Sequence, residues 1–557
     1  MRVFGPLVSN GSAGRRRLRC NIDILKVRRI GDADFFGGLT LVLLLIGAGL
    51  RVWQYAIGEA LWYDELALAR NLVETSFYDL LTTPLKYGQV APAGFLLVEK
   101  AAITAFGNNE YALRLFPLLC SLASLPLFVG VARRILAPEA TLLAVTLFNL
   151  SPRLIAFASQ AKQYSTDVAI TLLLTALTLR WRQQRPLSRA YPSAALLGAV
   201  GLVVVWFSHA AVLVLAGLGV ALIIDAHFRK RHSYREIAPI TSLWFIGIVS
   251  AVIFAVYNMS PSTLAYMQAY WSNGFMPLPP EATGEALWLW RAFRGLFQRE
   301  FRYPLPGAGV LLMLLGTVSL VRFRRWPALV ILAPLGIALF ASAARHYPFG
   351  ERVSLFLLPA ILLLAVEGVY RLQHVAATLW RPFGLIVLIM ATAVPVYALY
   401  TDHSIQPKRE IREVLAYVDA LRRPDDAIYI FHNAWHSVRY YGVRYGLPRE
   451  AMVIGHCPAG DSRKLLTELD QFRGQPRLWV IISHAVGPFR ERETILSYLA
   501  AIGLERQKIV TGTGRLSSSA YLFDLSDPER LRAVSARTHI LPTRENGIPE
   551  FPCPPTS

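Results

Sequence analysis

The sequence predicts a polytopic α-helical membrane protein of about eleven spans, with a small α/β domain at its C-terminal end, outside the membrane. Three observations predict it. Hydrophobic residues make up 54 % of the 557 and charged residues only 17 %, with a mean hydropathy of +0.40; a soluble chain of this length carries more charge and shorter apolar runs. Apolar segments near the spanning length of roughly 20 residues recur along the chain. From Lys408 the pattern changes to short strand-like runs alternating with helical stretches, as expected of an α/β unit. The formal net charge of +20 would suggest a nucleic-acid partner in a soluble protein. Here much of the excess lies in short loops between spans, where it is orientation signal, and nucleic acid is excluded.

The first 35 residues form a basic segment that includes Arg15, Arg16, Arg17, Arg19, Lys26, Arg28 and Arg29. A long apolar run follows with no obvious small-residue cleavage site. This reads as an uncleaved signal anchor with a cytoplasmic N-terminus. The expected spans are 36–57, 115–131, 140–157, 165–181, 192–208, 210–226, 239–257, 306–321, 327–344, 353–370 and 382–401. The run 192–226 is split at Ser208-His209, because one helix of that length would overshoot the bilayer. Segment 91–106 is apolar but short. If it spanned, the Arg133/Arg134, Arg229-Lys230-Arg231 and Arg322/Arg324/Arg325 clusters would all face out. As a juxtamembrane helix it leaves every one of them inside. An odd span number then places the C-terminus outside, together with the loops 58–114 and 258–305. Residues 36–401 are thus a membrane domain, 402–557 an extracytoplasmic domain, and the chain a multi-pass protein of the plasma (inner) membrane.

Two outer features have a recognisable pattern. Glu285 to Gln298 reads EALWLWRAFRGLFQ. Trp288, Trp290, Phe293 and Phe297 with Arg291 and Arg294 suit a helix in the headgroup region, and equally a plain loop helix. In the C-terminal domain, AIYIF, AMVI, LWVII and YLFDL read as strands, with SRKLLTELDQF and ETILSYLAAIG as helices between them. No glycine-rich phosphate loop is present in it, and its role is not legible. Cys457 and Cys553 both fall there; they could pair in an oxidising compartment or remain free thiols. No metal-type Cys/His cluster occurs.

The stretch with most chemistry is Gly58 to Arg70, GEALWYDELALAR. Asp64 and Glu65 follow Trp62 and Tyr63 where the chain leaves its first span. A carboxylate near hydrocarbon is costly unless paired or used; the plain alternative is a helix start with acids at its N-terminus. Adjacent residues on a helix point about 100° apart, so the two acids should differ in role. One would face substrate and the other hold a neighbour such as Arg114 or a cation. Arg114, Lys162 and Arg352 each lie at the outer edge of a different span, where helix packing could bring them together, and His209 lies at the same face. Each base alone reads as a snorkelling or headgroup contact. Together, beside a pair of acids, they suit a phosphate at headgroup level, which Arg binds as a fork and Lys as a point charge, with a hydroxyl to be deprotonated.

These residues carry a resemblance. LWYDE after the first span is similar to the acidic motif of the GT-C membrane glycosyltransferases, the branch that contains protein O-mannosyltransferases and the aminoarabinose transferase of lipid A. The likeness continues in YGQVAPAGFLLVEKAAITAFGNNEYALRLFPLL, NLSPRLIAFASQAKQYSTDV, FSHAAVLVLAG, AYWSNGFMPLPP and YPFGERVSLFLLPA, which together cover most of 36–401. The resemblance implies a sugar donor linked to polyprenyl phosphate, used at the outer face with inversion at the sugar. The implied acceptor is a glycolipid, a polysaccharide or a protein. It implies Asp64 as catalytic acid/base with Glu65 beside it, and Arg114, Lys162, Tyr164 and Arg352 as substrate-binding residues. Related sequences often carry an acid where this chain has Gln160, so a divalent cation stays open as a cofactor, with Asp167 or Glu110 as the acids left to hold it. A lipid-linked glycan polymerase or ligase, a non-catalytic scaffold, and a secondary transporter are the alternative classes. The transporter should show midplane charges and a repeat between halves, and neither is visible.

Overall fold

The computed structural model describes residues 30–183, 190–229, 234–280, 283–379, 411–447, 452–457, 462–485, 491–512, 517–527 and 529–530, with isolated positions between 382 and 400. The basic segment 1–29 and most of the expected span 382–401 lie outside the described residues.

The membrane part is built from α1 (Ile30–Ala56), α2 (Tyr63–Glu74), α3 (Asp79–Thr82), α4 (Ala93–Phe106), α5 (Glu110–Ile135), α6 (Pro138–Asn149), α7 (Pro152–Phe157), α8 (Tyr164–Gln183) and α9 (Ala190–Val204). It continues through α10 (Ala210–Arg229), α11 (Tyr234–Tyr257), α12 (Pro261–Tyr270), α13 (Thr283–Ala286), α14 (Trp288–Arg299), α15 (Pro306–Phe323), α16 (Arg325–Ala343) and α17 (Leu358–Leu379). Among the described residues, seven helical segments are long and apolar enough to cross a bilayer: 36–56, 110–135, 210–228, 234–257, 306–323, 325–343 and 351–378. The chain is therefore a multi-pass membrane protein. Lipid-side residues such as Leu41, Leu45, Phe245, Ile253, Leu311 and Phe340 are exposed, as a bilayer requires.

Several expected elements are built differently. The expected span 140–157 is broken between Asn149 and Pro152 into α6 and α7. Proline at the first position of α7 lacks the N–H that a continuous helix would need. The 192–208 segment is a shorter apolar helix that ends in a turn of 3₁₀ helix at Val205–Phe207. Segment 91–106 forms α4, 14 residues long; at 1.5 Å per residue it reaches about 21 Å, short of a hydrocarbon core of about 30 Å. Glu285–Gln298 is two helices with a break at Leu287. The apolar face of α14 is buried in the protein through Phe293, Leu296 and Phe297, while Leu289 and Trp290 stay exposed.

Polar and small residues fix how the spans meet. Arg51, buried within α1, donates to the carbonyls of Gly47 and Asn149 and to Ser121 Oγ at 2.9–3.1 Å. Asn149 Nδ2 returns a bond to Leu43 O at 2.8 Å. These bonds offset the burial of a charge at that depth and pin α1 to α5 and α6, although Arg51 Nη2 has no hydrogen-bond partner among the described residues. Gly316 on α15 and Gly368 on α17 form a reciprocal close approach. A Cβ on the first would collide with the Leu364 carbonyl and on the second with the Leu312 carbonyl. Small residues let spans pack backbone to backbone, and this pair fixes α17, which follows directly on the segment that carries Arg352.

The C-terminal part holds α18 (Ile411–Leu421), β1 (Ala427–Ile430), α19 (Trp435–Tyr441), β2 (Met452–Ile454), α20 (Ser462–Leu469), β3 (Leu478–Ile482), α21 (Glu491–Ile502), β4 (Leu504–Thr511) and β5 (Ser518–Asp524). The sheet order is β2-β1-β3-β5-β4. β1 is parallel to β2 and β3, and β5 is antiparallel to β3 and β4. Four strands coincide with the expected runs. The fifth, β4, does not: LERQKIVT is a solvated edge strand with no buried face, so it shows none of the apolar alternation that reveals a strand. Cys457 is disulfide-bonded, Cys120 is a free thiol, and Cys553 lies outside the described residues.

Candidate active site

Helix α2 begins immediately after the first span, and its first turn carries the two acids, Asp64 and Glu65. The N–H groups at a helix start favour negative charge there. Glu65 accepts the Trp62 N–H at Oε2, 2.8 Å, the reach-back half of a capping box. The rest of Glu65 faces inward. Oε1 accepts Arg114 Nε at 3.0 Å and the Ala161 N–H at 2.7 Å, and Oε2 accepts Arg114 Nη2 at 3.0 Å. Arg114 also donates to the carbonyls of Glu59 and Ala60. Both side chains are 5 % exposed or less. This is a fully satisfied buried fork that ties α2, α5 and the chain before α8 together.

Asp64 points elsewhere. Its Oδ2 lies 2.7 Å from Arg352 Nη2, with both side chains about a quarter exposed. Burial pushes the Asp64 carboxyl up; Arg352 foremost, then Lys162, pull it down, and it ends below its ordinary value. Asp64 is therefore a carboxylate at neutral pH. Arg352 is presented by a 3₁₀ helix, Glu351–Leu357, that follows Gly350 at φ 130° and Glu351 at φ 49°. A non-glycine residue with positive φ stores backbone strain that surrounding contacts must hold. Here Gly350 N donates to Ser354 Oγ and Phe349 N to Gly274 O, both at 2.7 Å. Arg352 lies over the Trp271 ring at 5.6 Å and 3.4 Å from Tyr270 Oη. Among the described residues its buried Nε has no hydrogen-bond partner.

Lys162 reaches the same place from the segment before α8. It is 8 % exposed, and its Nζ donates to Gln89 Oε1 at 2.6 Å. Burial drives its ammonium down to about 8, against the upward pull of Asp64. Tyr164, at the start of α8, packs edge-on against Phe157 with ring centroids 5.1 Å apart and lies within electrostatic reach of Arg352 and Asp64. His209 lines a small cavity whose walls include Gln89, Leu96, Asn258 and Thr263 but neither Asp64 nor Arg352. The expected set therefore divides: Asp64, Arg352, Lys162 and Tyr164 gather at one place, Glu65 and Arg114 form the clamp beneath them, and His209 stands on the far side of Gln89.

The acids considered for a cation do not converge. Glu110 pairs with Arg412 at 3.2 Å, and Asp167 is buried in α8. Among the described residues no three His, Cys, Asp or Glu side chains are grouped as metal ligands.

Residues from the C-terminal domain complete the surroundings, which the motifs did not reveal. Leu61 N donates to Tyr441 Oη at 2.9 Å, and Arg412 bonds Gly58 O at 2.9 Å. The His484 ring lies 4.4 Å from Trp62, and the His436 ring 5.0 Å from Tyr63. Arg70 on α2 contacts His436 Nδ1 at 3.1 Å and Tyr87 Oη at 2.6 Å. No signal in the sequence ties these histidines to α2.

Residues 91–257 match the family model described as dolichyl-phosphate-mannose-protein mannosyltransferase. Over these residues the chain carries the membrane glycosyltransferase signature that its motifs led us to expect. Arg114, Lys162, Tyr164 and His209 fall inside the matched stretch; Asp64 and Arg352 fall outside it. No curated protein matches the sequence. Among solved structures the chain is similar to ArnT from Cupriavidus metallidurans bound to undecaprenyl phosphate, at 14 % identity and a TM-score of 0.48, over 89 % of this chain and 98 % of that one. It is also similar to the archaeal oligosaccharyltransferase AglB from Archaeoglobus fulgidus, in complex with an inhibitory peptide and a dolichol-phosphate, at 11 % identity and a TM-score of 0.47, over 81 % of this chain and 70 % of that one.

Proposed function

We propose that the chain is a membrane glycosyltransferase that moves a sugar from a polyprenyl-phosphate donor to an acceptor hydroxyl at the extracytoplasmic face, with inversion at the anomeric carbon. The observation that carries this reading is the Asp64–Arg352 pair at 2.7 Å. It sets a carboxylate that stays ionised at neutral pH against a guanidinium with an unused, buried Nε–H. Arg352 is the phosphate ligand, its fork suited to two phosphate oxygens, and Lys162 adds a point charge beside it.

The steps follow from these groups. Donor phosphate takes up Arg352, which loosens the Arg352 hold on Asp64. The arriving negative charge and the weakened pairing both make the Asp64 carboxylate a stronger base. The acceptor oxygen attacks the anomeric carbon while Asp64 takes its proton. The bond from that carbon to the phosphate oxygen breaks, and the electron pair leaves with the lipid phosphate. Charge grows on the phosphate in the transition state, where Arg352 and Lys162 stabilise it more than in the ground state. Glu65 and Arg114 take no part in bond making; they hold α2 so that Asp64 meets Arg352. The N-terminus is cytoplasmic in this reading, and the C-terminal domain lies outside with the site.

The test is transfer from a radiolabelled polyprenyl-phosphate sugar in proteoliposomes, paired with mass analysis of envelope glycans from cells with and without the gene. Loss of a glycan decoration without the protein, restored by the wild type and not by Asp64→Asn, is the expected result. Restoration by Asp64→Asn overturns the assignment.

A further inference from the structure

In an open α/β sheet, ligands bind at the carboxyl ends of parallel strands, at the point where strand order reverses. In this sheet the order β2-β1-β3 places that point between β1 and β3. Their carboxyl ends are followed by His432 and Asn433 after β1, and by Ser483 and His484 after β3. This end does not face solvent alone. Asn433 Nδ2 bonds His484 O at 3.2 Å, and the His484 ring rests on Trp62 at 4.4 Å and near Tyr63 at 6.1 Å. Asp64 is the next residue. The switch point of one domain thus opens onto the catalytic carboxylate of the other.

We propose that this crevice is the acceptor subsite and that it takes a neutral saccharide through its hydroxyls, a proposal that rests on the transferase reading above. Its rim is Trp62, Tyr63, His432 and Asn433, all half-buried, so each keeps a surface for a ligand. The chemistry is that of a polyol site: two aromatic rings, one amide and the uncharged His432 imidazole, with His436 buried behind Tyr63. Burial holds His436 down at about 3 and His432 down at about 4. Arg70 can only donate, so His436 Nδ1 accepts and its proton sits on Nε2. The Arg70 guanidinium is already engaged by Glu74, Tyr87 and His436, so it offers no bare cation to an anionic acceptor. His484 holds the junction in a left-handed conformation, φ 58°. It is 2 % exposed and acts as a positioning residue through Trp62.

Glycine adopts that φ without cost, so His484→Gly removes the ring without straining the backbone. Asn433→Ala removes a rim amide. The full chain in nanodiscs is probed by saturation-transfer NMR with millimolar neutral disaccharides of hexose, pentose and N-acetylhexosamine type, with their phosphorylated counterparts and with Ser/Thr peptides, and in parallel for binding of undecaprenyl phosphate. Wild type should show disaccharide saturation. Asn433→Ala and His484→Gly should each lose at least tenfold in disaccharide affinity, with undecaprenyl phosphate affinity within twofold of wild type. In transfer assays the acceptor KM should rise more than kcat falls. Absence of disaccharide signal from wild type, signal kept in both variants, or saturation only of phosphorylated saccharides or of Ser/Thr peptides overturns the subsite. In each of those cases undecaprenyl phosphate binding by wild type leaves the transferase reading standing; its absence removes that reading instead.

Discussion

Replacing Glu65 by Gln tests the division of labour between the two acids most directly. Glu65 accepts four hydrogen bonds, two from Arg114 and one each from the Trp62 and Ala161 amides. Glutamine keeps one acceptor oxygen and puts two N–H donors where the other oxygen was. Two of the four donors then face a donor, and each buried unmet group costs about 1–3 kcal/mol, or about 2–6 kcal/mol for the two. Breaking a buried ion pair by removing one partner costs about 3–5 kcal/mol in other proteins, so both routes agree on a loss of about 3–5 kcal/mol. The assay is tryptophan-fluorescence unfolding by SDS titration of the purified full chain, with transfer measured per folded molecule on the same samples. A double-mutant cycle with Arg114→Met completes it, because removing both partners leaves no orphan charge and the double variant should be less destabilised than the sum of the singles. Wild-type stability in Glu65→Gln with transfer abolished would refute the clamp and return Glu65 to the chemistry.

The other expectations concern the reaction and its orientation. Asp64→Asn should leave the unfolding midpoint near wild type while transfer falls about a hundred- to ten-thousand-fold, the usual contribution of a placed general base; a folded variant with full transfer sinks the mechanism. Arg352→Ala should weaken undecaprenyl phosphate binding about ten- to hundredfold, from charge-assisted bonds worth about 1.5–3 kcal/mol, with Arg352→Lys between it and wild type; surface-plasmon or thermophoresis titrations read it, and unchanged affinity removes Arg352 from the site. In the pH profile of kcat/KM, which reports the free enzyme, the Asp64 limb should lie below the ordinary carboxylate range and the alkaline limb at about 8, where Lys162 loses its proton; Lys162→Arg should carry that alkaline limb upward. Because the folded pKa of Lys162 is lowered from 10.5, the unfolded chain binds more protons between about 8 and 10.5, and stability should rise with pH across that window. Single cysteines at Ser272 and Ser526 should label with an impermeant reagent in intact cells, and a Ser526 site reactive only after lysis contradicts an outer C-terminal domain.

Composition and periodicity alone determined the class of this protein. An apolar run must be buried in lipid or protein wherever it sits, so repeated runs declare a membrane bundle without any knowledge of packing. Local pattern likewise marked four apolar strands, three of them with buried residues, and the acids at the first exit from the membrane. It could not mark β4, whose solvated residues follow no apolar period. The break between α6 and α7 was written in Pro152, but a proline in an apolar run can also be a kink within one helix, and only the packed bundle decides. The two acids show the limit most clearly. Helix geometry requires Asp64 and Glu65 to point apart, and nothing local says which faces which partner. That choice came from Arg114, 49 residues on, and the Ala161 amide, 96 residues on, which converge on Glu65 and leave Asp64 to Arg352. His436 and His484 lie further still from α2 in sequence. They reach Tyr63 and Trp62 because the sheet and the first helices of the membrane part share one hydrophobic core, and which surfaces meet across it is a property no stretch of sequence carries by itself.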